Sequence, residues 1–401
     1  MNINLKRKLN YYNKFLALFV VVLGMTVFQS CENNPNDLGL EFILSDTLNT
    51  KLLDSNRDSM LISSNNYKKL LNTYYSNYIM VGKYQGYESK ALLRTVGVSG
   101  SYAGATVLSA SLKFNYAKYA YQDSTSSVSF NVYPLNKSFN FSSITFDSVN
   151  SGNIGANQLG AYTGNPMDTN SIYIPFDNTV AKNWLEYAAD TNYAVKNYGI
   201  AFLPNASSGT IKAFGGYLQA GTAPNLSPKI VIVANKNNKT DTLVYDFETL
   251  TLTNVNSLTY IPDRFQVQNG ISFYDILNFD ISKVPANSII NEAYLRLKLD
   301  KPVSYISAGA SLDMYYYMML DTIAKTNDAT SLKSLLEDSV TVSVRLTPFF
   351  QKWNYGLLTN FGVTMKNAND LFNLDRFVFY GPGVQDTSKR PKLIIRYTPR
   401  G

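Results

Sequence analysis

The side chains that could do chemistry in this 401-residue chain are tyrosines, carboxylates and lysines, because it contains thirty tyrosines, no histidine and one cysteine. Without histidine the chain cannot hold a Ser-His-Asp or Cys-His triad, an imidazole proton shuttle or a histidine-bearing zinc site. A single cysteine forms no internal disulfide, no CxxC redox pair and no thiolate zinc site. The composition therefore excludes the commonest nucleophilic, redox and zinc chemistries.

The tyrosines near residues 84, 119 and 316 are candidates for ligand contact. Alternation along a predicted strand turns Tyr316 inward, between Met314 and Met318, and leaves its two neighbours on the opposite face. Exposed aromatic rings can stack on sugar faces while a phenol hydroxyl bonds to ligand or water. The alternative is that a sandwich with few charges uses tyrosine as an ordinary strand residue. The candidate ligand-binding residues are Tyr84, Tyr87, Tyr119, Tyr121, Tyr315 and Tyr317. Tyr116 belongs to the same sequence cluster as Tyr119 and Tyr121.

Loop carboxylates are the other candidates, namely Asp263, Asp313, Asp370 and Asp375, and such oxygens could ligate Ca²⁺. No EF-hand-like spacing is present, so a structural calcium is suggested by analogy alone and no ligands are assigned. A glycosidase needs two carboxylates flanking the scissile bond, and a lyase could use tyrosine or lysine as base. Since no motif marks either, we expect no enzyme and no cofactor.

The first thirty residues have the pattern of an export signal. Basic residues lie between Lys6 and Lys14, an apolar run follows from Phe15 to Phe28, and the run is too short for a stable membrane anchor. The segment VFQSC, ending at Cys31, resembles the lipobox of bacterial lipoproteins, although Phe28 and Gln29 depart from the usual residues there. The resemblance implies a diacylated Cys31 as the mature N-terminus, anchored through several acyl chains. The alternative is an ordinary secretory signal beside an unrelated cysteine.

Cleavage before Cys31 would lower the formal net charge from +7 to +3, because residues 1–30 hold four basic and no acidic residues. No dense Lys/Arg run follows, so we expect no nucleic-acid partner. Residues 31–46 are polar and turn-forming, and we interpret them as a tether.

Five patterned blocks recur in the same order in the two parts of the chain, which predicts one structural unit used twice. Both tryptophans fall at equivalent places in the third block. A polar run at 235–240 suggests a linker, giving predicted domains at 47–234 and 241–401. The matched blocks are 110–116 with 293–299, 128–133 with 312–317, 172–184 with 342–353, 198–200 with 361–363, and 228–233 with 391–396.

Short alternating segments separated by Gly, Asn, Ser and Pro predict an all-β fold of two tandem antiparallel sandwiches. Two short helices are expected, at 179–188 and 331–338. The equivalence of Trp184 and Trp353 favours a structural role in which each fills one end of its sandwich core.

Several segments resemble one known family. Residues 72–82 (NTYYSNYIMVG), 90–94 (KALLR) and 275–285 (DILNFDISKVP), together with the shared blocks, are similar to the DNRLRE-type domain of bacterial surface proteins. Thr95 and Val96 stand where the family has Phe-Asp. The resemblance implies a jelly-roll sandwich in each half, and one branch of the family is a carbohydrate-binding module for polysaccharides such as alginate. Residues 31–46 also resemble, over a short stretch, lipoproteins of Bacteroidetes.

Three functions follow as hypotheses. The first is an outer-membrane lipoprotein, on the cell surface or the periplasmic face, whose two modules bind polysaccharide without catalysis. The second is a structural, adhesive or scaffold lipoprotein that meets an envelope protein and has no glycan site. The third is a polysaccharide lyase or glycosidase. Equivalent exposed aromatic platforms on the same face of both modules would favour the first, and a flat, ungrooved surface with one large apolar patch would favour the second. A deep cleft holding close carboxylates, or tyrosine with arginine or lysine, would favour the third.

Overall fold

A computed structural model describes residues 49–58, 60–68, 73–74, 76–167, 171–217, 221, 223–258, 260–271 and 273–400. The predicted signal peptide (1–30), the tether (31–46) and Cys31 lie outside these residues. No helix within the described ranges is both long and apolar enough to cross a membrane.

The described chain is nearly all β, with antiparallel strand pairs throughout, as the alternating segments predict. The N-terminal part contains β1 (Lys51–Asp54), α1 (Ser55–Asp58), β2 (Leu61–Lys68), β3 (Tyr78–Tyr84), β4 (Tyr87–Val96), β5 (Thr106–Tyr121), β6 (Val128–Pro134), β7 (Gly160–Gly164), β8 (Ser171–Pro175), α2 (Asn178–Ala189), β9 (Ile200–Pro204), β10 (Ile211–Gly215), β11 (Lys229–Lys236) and β12 (Lys239–Val255). The C-terminal part contains β13 (Arg264–Gln268), β14 (Phe273–Phe279), β15 (Ile289–Lys298), β16 (Met314–Asp321), β17 (Thr326–Lys333), β18 (Leu335–Leu336), β19 (Thr341–Arg345), α3 (Thr347–Asn354), β20 (Val363–Asn367), β21 (Arg376–Tyr380) and β22 (Lys392–Thr398). Short 3₁₀ turns lie at Gly100–Tyr102, Phe146–Ser148 and Lys301–Val303.

In the first half, one ten-stranded sheet surrounds its own core. The strand order is β12-β11-β5-β10-β3-β4-β9-β6-β7, β8 pairs with β5, and β12 also pairs with β4. Strand β12 pairs with both neighbours because its first part, up to Asp246, pairs with β11 and its second part, from Asp246 onward, pairs with β4. The enclosed core is apolar and includes Leu112 and Trp184.

In the second half, two sheets pack face to face. One has the order β1-β22-β15-β19-β18, and the other has the order β17-β16-β20-β14-β13-β21, with β2 paired to β14. Alternate residues of both sheets meet in one core, which contains Leu295, Tyr316, Trp353 and Leu393.

The two halves share their pairing scheme down to the register. Leu112 on β5 pairs with Ile230 of β11 and Ile174 of β8. Leu295 on β15 likewise pairs with Leu393 of β22 and Val344 of β19. The facing layer follows the same scheme. The pair Val132–Phe202 of the first half corresponds to Tyr316–Met365 of the second. Likewise, Leu93–Ile200 corresponds to Leu277–Val363. The repeat noticed in the sequence is therefore a repeat of strand pairing.

A glycine shared by the two halves shows why the fourth block recurs. Gly199 and Gly362, each preceding an equivalent strand, have φ values of +98° and +90°. A Cβ atom at these positions would lie 2.3 Å from the Leu93 carbonyl oxygen and 2.7 Å from that of Leu277. Only glycine meets both demands without strain.

The tryptophans occupy equivalent places in the two short helices. Trp184 in α2 is 3% exposed and stacks obliquely on Phe176, while Trp353 in α3 is 5% exposed and packs against Phe279 and Phe350. Both therefore belong to the cores. Helix α2 begins after Asp177, whose carboxylate accepts hydrogen bonds from two N–H groups of the first turn.

The helix expected at 331–338 does not form. Residues 326–333 are strand β17, in which Lys333 and Ser331 pair with Tyr315 and Tyr317, and Leu335–Leu336 pairs with β19. The leucine spacing is compatible with either structure, and the open edge of β16 favours the strand because it supplies hydrogen-bond partners.

The predicted linker at 235–240 is instead a β-hairpin turn. Asn235 pairs with Thr240 and Lys236 with Lys239, so β11 continues directly into β12. Asn237 and Asn238 have φ values of 53° and 60°, the left-handed pair that a two-residue hairpin turn requires and that asparagine tolerates. A polar Asn-rich run predicts a turn and a linker equally well, and the partner strand decided between them.

The predicted domain boundaries are displaced for the same reason. Strand β12 completes the first half by pairing with β11 and β4. In the second half, the corresponding partners of β22 and β14 are β1 and β2, from the start of the chain. Residues 52–400 accordingly form one compact unit. Each half is completed by strands from outside its predicted boundaries, so the two are interlocked rather than strung in tandem.

Candidate functional site

Four of the predicted tyrosines lie where the two halves meet. The Tyr121 side chain is fully buried, and its ring centroid lies 6.0 Å from Tyr84, 5.1 Å from Tyr87 and 5.1 Å from Tyr305 of the second half. Tyr119 packs in the same cluster. A side chain without exposed surface cannot stack on a ligand, so the prediction for Tyr121 is wrong.

Hydrogen bonds across this contact explain the burial of the hydroxyl groups. The Gln268 side chain accepts a bond from Tyr87 at 3.0 Å and donates one to Tyr121 at 3.2 Å. The Tyr119 hydroxyl accepts the Leu374 N–H at 2.8 Å. Burial raises the pKa of both Tyr119 and Tyr121 above the usual phenol value. These contacts indicate that the tyrosine cluster holds the two halves together.

Three of these tyrosines keep some exposed surface. Tyr84 and Tyr87 border a cavity of about 370 Å³, and Tyr119 borders a groove of about 650 Å³ between the halves. Aromatic residues of both halves, Tyr116 and Tyr305 among them, line the groove between the halves, but neither space has a buried charged side chain in its described lining.

The remaining two predicted residues, Tyr315 and Tyr317, line a different cavity, of about 470 Å³, on the outer face of the second half. The alternation that placed them outward holds, since Met314, Tyr316 and Met318 are buried. We call this cavity the tyrosine groove. It is lined by Tyr67 of β2, Tyr274 of β14, Tyr315 and Tyr317 of β16, Asn327 of β17, Lys366 and Asn367 of β20, and residues 368, 370 and 371.

The groove is assembled from strands that are far apart in the chain. Tyr67 and Tyr274 are register partners on β2 and β14, with ring centroids 5.6 Å apart in an edge-to-face arrangement. The Lys366 Nζ atom lies 4.7 Å from the centroid of the Tyr317 ring. Tyr67, Tyr274 and Lys366 are not among the predicted site residues, because nothing in the sequence shows that β2 pairs with β14.

Asp370 is the charged residue buried in the groove wall. It is 6% exposed and accepts a hydrogen bond from the Tyr274 hydroxyl, while its Oδ1 atom has no hydrogen-bond partner among the described residues. Burial raises its pKa to about 6, although the Tyr274 hydrogen bond and the charge of Lys366 act in the opposite direction. Of the suggested calcium ligands, this is the one that faces the groove.

The loop 368–375 holds Asp370 firmly in place. Its backbone accepts the Gly270 N–H at Asp370 and the Asn269 N–H at Asp375, at 2.8 and 3.0 Å. The Asn269 amide group donates to Asn367 and Asn373. A fixed backbone keeps the carboxylate oriented before any ligand arrives.

The loop carboxylates do not gather into a metal site. Within the described ranges, no three acidic or cysteine side chains converge as a ligand set. Asp313 pairs with Lys333 at 2.9 Å, and Asp375 accepts the Ser307 hydroxyl at 2.8 Å. The Asp263 backbone oxygen accepts the Gly381 N–H.

The equivalent face of the first half is covered. Residues 135–159 connect β6 to β7, and Phe141, Ile144 and Val149 of this segment pack against Leu92 and Leu252. In the second half, only residues 322–325 connect β16 to β17, so no comparable segment covers this face within the described part of the chain.

The residues beneath the cover differ from those of the groove as well. By register, Lys90 occupies the place of Tyr274, Asn131 that of Tyr315 and Leu252 that of Tyr67. The Lys90 side chain contacts the covering segment: its Nζ atom donates to the Val149 carbonyl at 3.1 Å and lies 3.9 Å from the centroid of the Phe146 ring. The pair of equivalent aromatic platforms that would have favoured two polysaccharide-binding modules is therefore absent from the described residues, where one half alone has such a groove.

A scan against protein-family models, a search of curated proteins and a search of solved structures each found no significant match.

Proposed function

We propose that this protein is a lipid-anchored lipoprotein of the outer membrane whose second half binds a polysaccharide, without catalysis, in the tyrosine groove. The observation that carries the proposal is the open, tyrosine-walled face beside one buried carboxylate and a lysine. The described lining contains a single carboxylate, so it lacks the pair that a glycosidase needs, whereas its tyrosines beside Lys366 are a combination that a lyase could also use. Aromatic faces that stack on sugar rings, next to a few oriented polar groups, are what such a site needs. The resemblance of the strand blocks to a family with a carbohydrate-binding branch supports the same proposal.

The first half serves in this proposal as a support. Its own equivalent face is filled by residues 135–159, and it buttresses the groove through loop 368–375. Ser76 donates to the Leu371 carbonyl at 3.2 Å, and Tyr78 packs edge-on against Phe372. One site per chain follows, in place of two linked sites.

The groove is tested with Tyr315→Ala/Tyr317→Ala on a glycan array and in affinity gel electrophoresis. Loss of two stacking rings should weaken retention of the recognised polysaccharide about tenfold or more. The matched control is Tyr173→Ala/Tyr260→Ala, which removes two exposed tyrosines outside the groove. Retention of no polysaccharide by the wild type would contradict the proposal and favour a scaffold role. Release of shortened or unsaturated sugars would contradict the absence of catalysis.

The anchor is tested by Cys31→Ala. If Cys31 carries the lipid, the variant will leave the membrane fraction and appear in the periplasm or medium, because no acyl chain then holds it. Metabolic labelling with a fatty acid should mark the wild type and not the variant. Continued membrane fractionation of the unlabelled variant would contradict a lipid anchor at this residue.

A further inference from the structure

The Asp370 carboxylate shows what kind of group the tyrosine groove lacks. Its Oδ1 atom has no partner among the described residues although the side chain is 6% exposed, and it borders the groove. A desolvated carboxylate oxygen without a donor is costly, and a ligand that supplies a donor recovers that cost. An N–H or O–H group of a ligand that reaches this oxygen from the groove would satisfy it.

The charges that face Asp370 restrict the donor further. The groups around it are the phenols of Tyr67 and Tyr274 on β2 and β14, those of Tyr315 and Tyr317 on β16, and the Lys366 ammonium on β20. Lys366 already lies over the Tyr317 ring, and Lys325 lies 5.5 Å from the centroid of Tyr67. A cationic ligand would meet ammonium groups at these rings, which leaves the hydroxyl of a neutral molecule as the better donor.

Electrostatic repulsion also disfavours a negatively charged ligand such as an acidic glycan. Its carboxylates would approach a buried carboxylate in a poorly screened environment, where like charges repel strongly. Lys366 and Lys325 are both more exposed than Asp370, so solvent screens their attraction for an acidic ligand more than it screens the repulsion from Asp370. With cationic and acidic ligands disfavoured, the ligand groups that suit this site are two adjacent hydroxyls of a neutral sugar, one donating to Asp370 and one accepting from Lys366.

We propose that the tyrosine groove selects an uncharged polysaccharide, with the Asp370 carboxylate and the Lys366 ammonium reading two neighbouring hydroxyl groups of one sugar. This rests on the proposed polysaccharide function and adds the charge class of the ligand. Since burial raises the pKa of Asp370 to about 6, the acceptor is ionised at pH 7.5 and protonated at pH 5. Retention of the neutral ligand should therefore fall as the pH drops through 6.

The test compares polysaccharides that share a backbone and differ in charge, in affinity gels of the full chain. The pairs are hydroxyethylcellulose with carboxymethylcellulose, and methyl-esterified with free polygalacturonate. At pH 7.5 the wild type should be retarded about tenfold more strongly by the neutral member of the recognised pair, and this preference should shrink at pH 5. Asp370→Asn should lose both the preference and its pH dependence. Asp313→Asn, a carboxylate outside the groove, should keep both.

Folding is followed in parallel by thermal unfolding. An acid whose pKa is raised in the folded state contributes stability at low pH that is lost as the pH rises through the folded pKa. Asp370→Asn should thus unfold at a higher temperature than the wild type at pH 7.5, with the difference shrinking toward pH 4. Tyr274→Phe removes the hydrogen bond to the carboxylate, so it should move the midpoint of pH-dependent binding upward.

Stronger retardation by the acidic member, or an unchanged preference in Asp370→Asn, would overturn the proposal while leaving a polysaccharide function in place. Retardation by neither member of either pair, together with a blank glycan array, would overturn the polysaccharide function and this inference with it.

Discussion

A fragment that begins at residue 241 will not fold, although the repeat alone would make it a complete second domain. It lacks β1 and β2, which pair with β22 and β14, and it lacks Met60, which is 1% exposed in the second core. The fragment 47–234 should fail likewise, because it lacks β12. Four β12 side chains, Leu243, Phe247, Leu250 and Leu252, are at most 9% exposed. Their burial is worth about 6–12 kcal/mol in total, as much as the stability of a typical domain.

The matched control is a fragment of similar length cut where the structure places the boundary. Residues 73–258 retain β3 to β12 and thus the closed ring of pairings, and should give a cooperative thermal transition and dispersed amide resonances. The second half should fold when residues 49–68 are joined by a flexible linker to 260–400. If fragment 241–401 folded well, it would contradict our conclusion that the second half needs β1 and β2 from the start of the chain.

The second large effect is expected at the contact between the halves. Tyr121→Ala should lower the free energy of unfolding by about 3–5 kcal/mol, as for other large buried aromatics, because three neighbouring rings lose their partner. Chemical denaturation followed by fluorescence and circular dichroism measures the change. Tyr121→Phe keeps the ring and loses only the hydroxyl bonded to Gln268, at a cost of about 1 kcal/mol.

Tyr315→Ala is the contrasting variant: the Tyr315 side chain is only half-buried, so its loss should cost no more than about 1 kcal/mol of stability. If Tyr121→Ala cost as little as Tyr315→Ala, the tyrosine cluster would not hold the halves together. Loss of polysaccharide retention in folded Tyr121→Ala, with retention kept in Tyr315→Ala, would place the ligand between the halves instead of in the groove.

The candidate site was predictable in part. Alternation alone set Tyr315 and Tyr317 opposite the buried Tyr316, because side chains of successive strand residues point to opposite faces. The same reasoning could not separate them from Tyr119 and Tyr121, since it assigns a face without showing what covers that face. Tyr67 and Tyr274 entered the groove only through the pairing of β2 with β14, which joins residues some two hundred positions apart.

Local patterns by themselves determined the β class, the internal repeat, the burial of Trp184 and Trp353, and the glycines at 199 and 362. Each depends on periodicity or on backbone conformation within a few residues. Tertiary structure decided which strands complete each half, whether residues 331–338 form strands or a helix, and which face of the repeat is open. Those outcomes depend on long-range partners: an Asn-Asn turn looks the same in a linker and a hairpin, and the alternation of a strand assigns a side chain to a face without showing which loop covers that face.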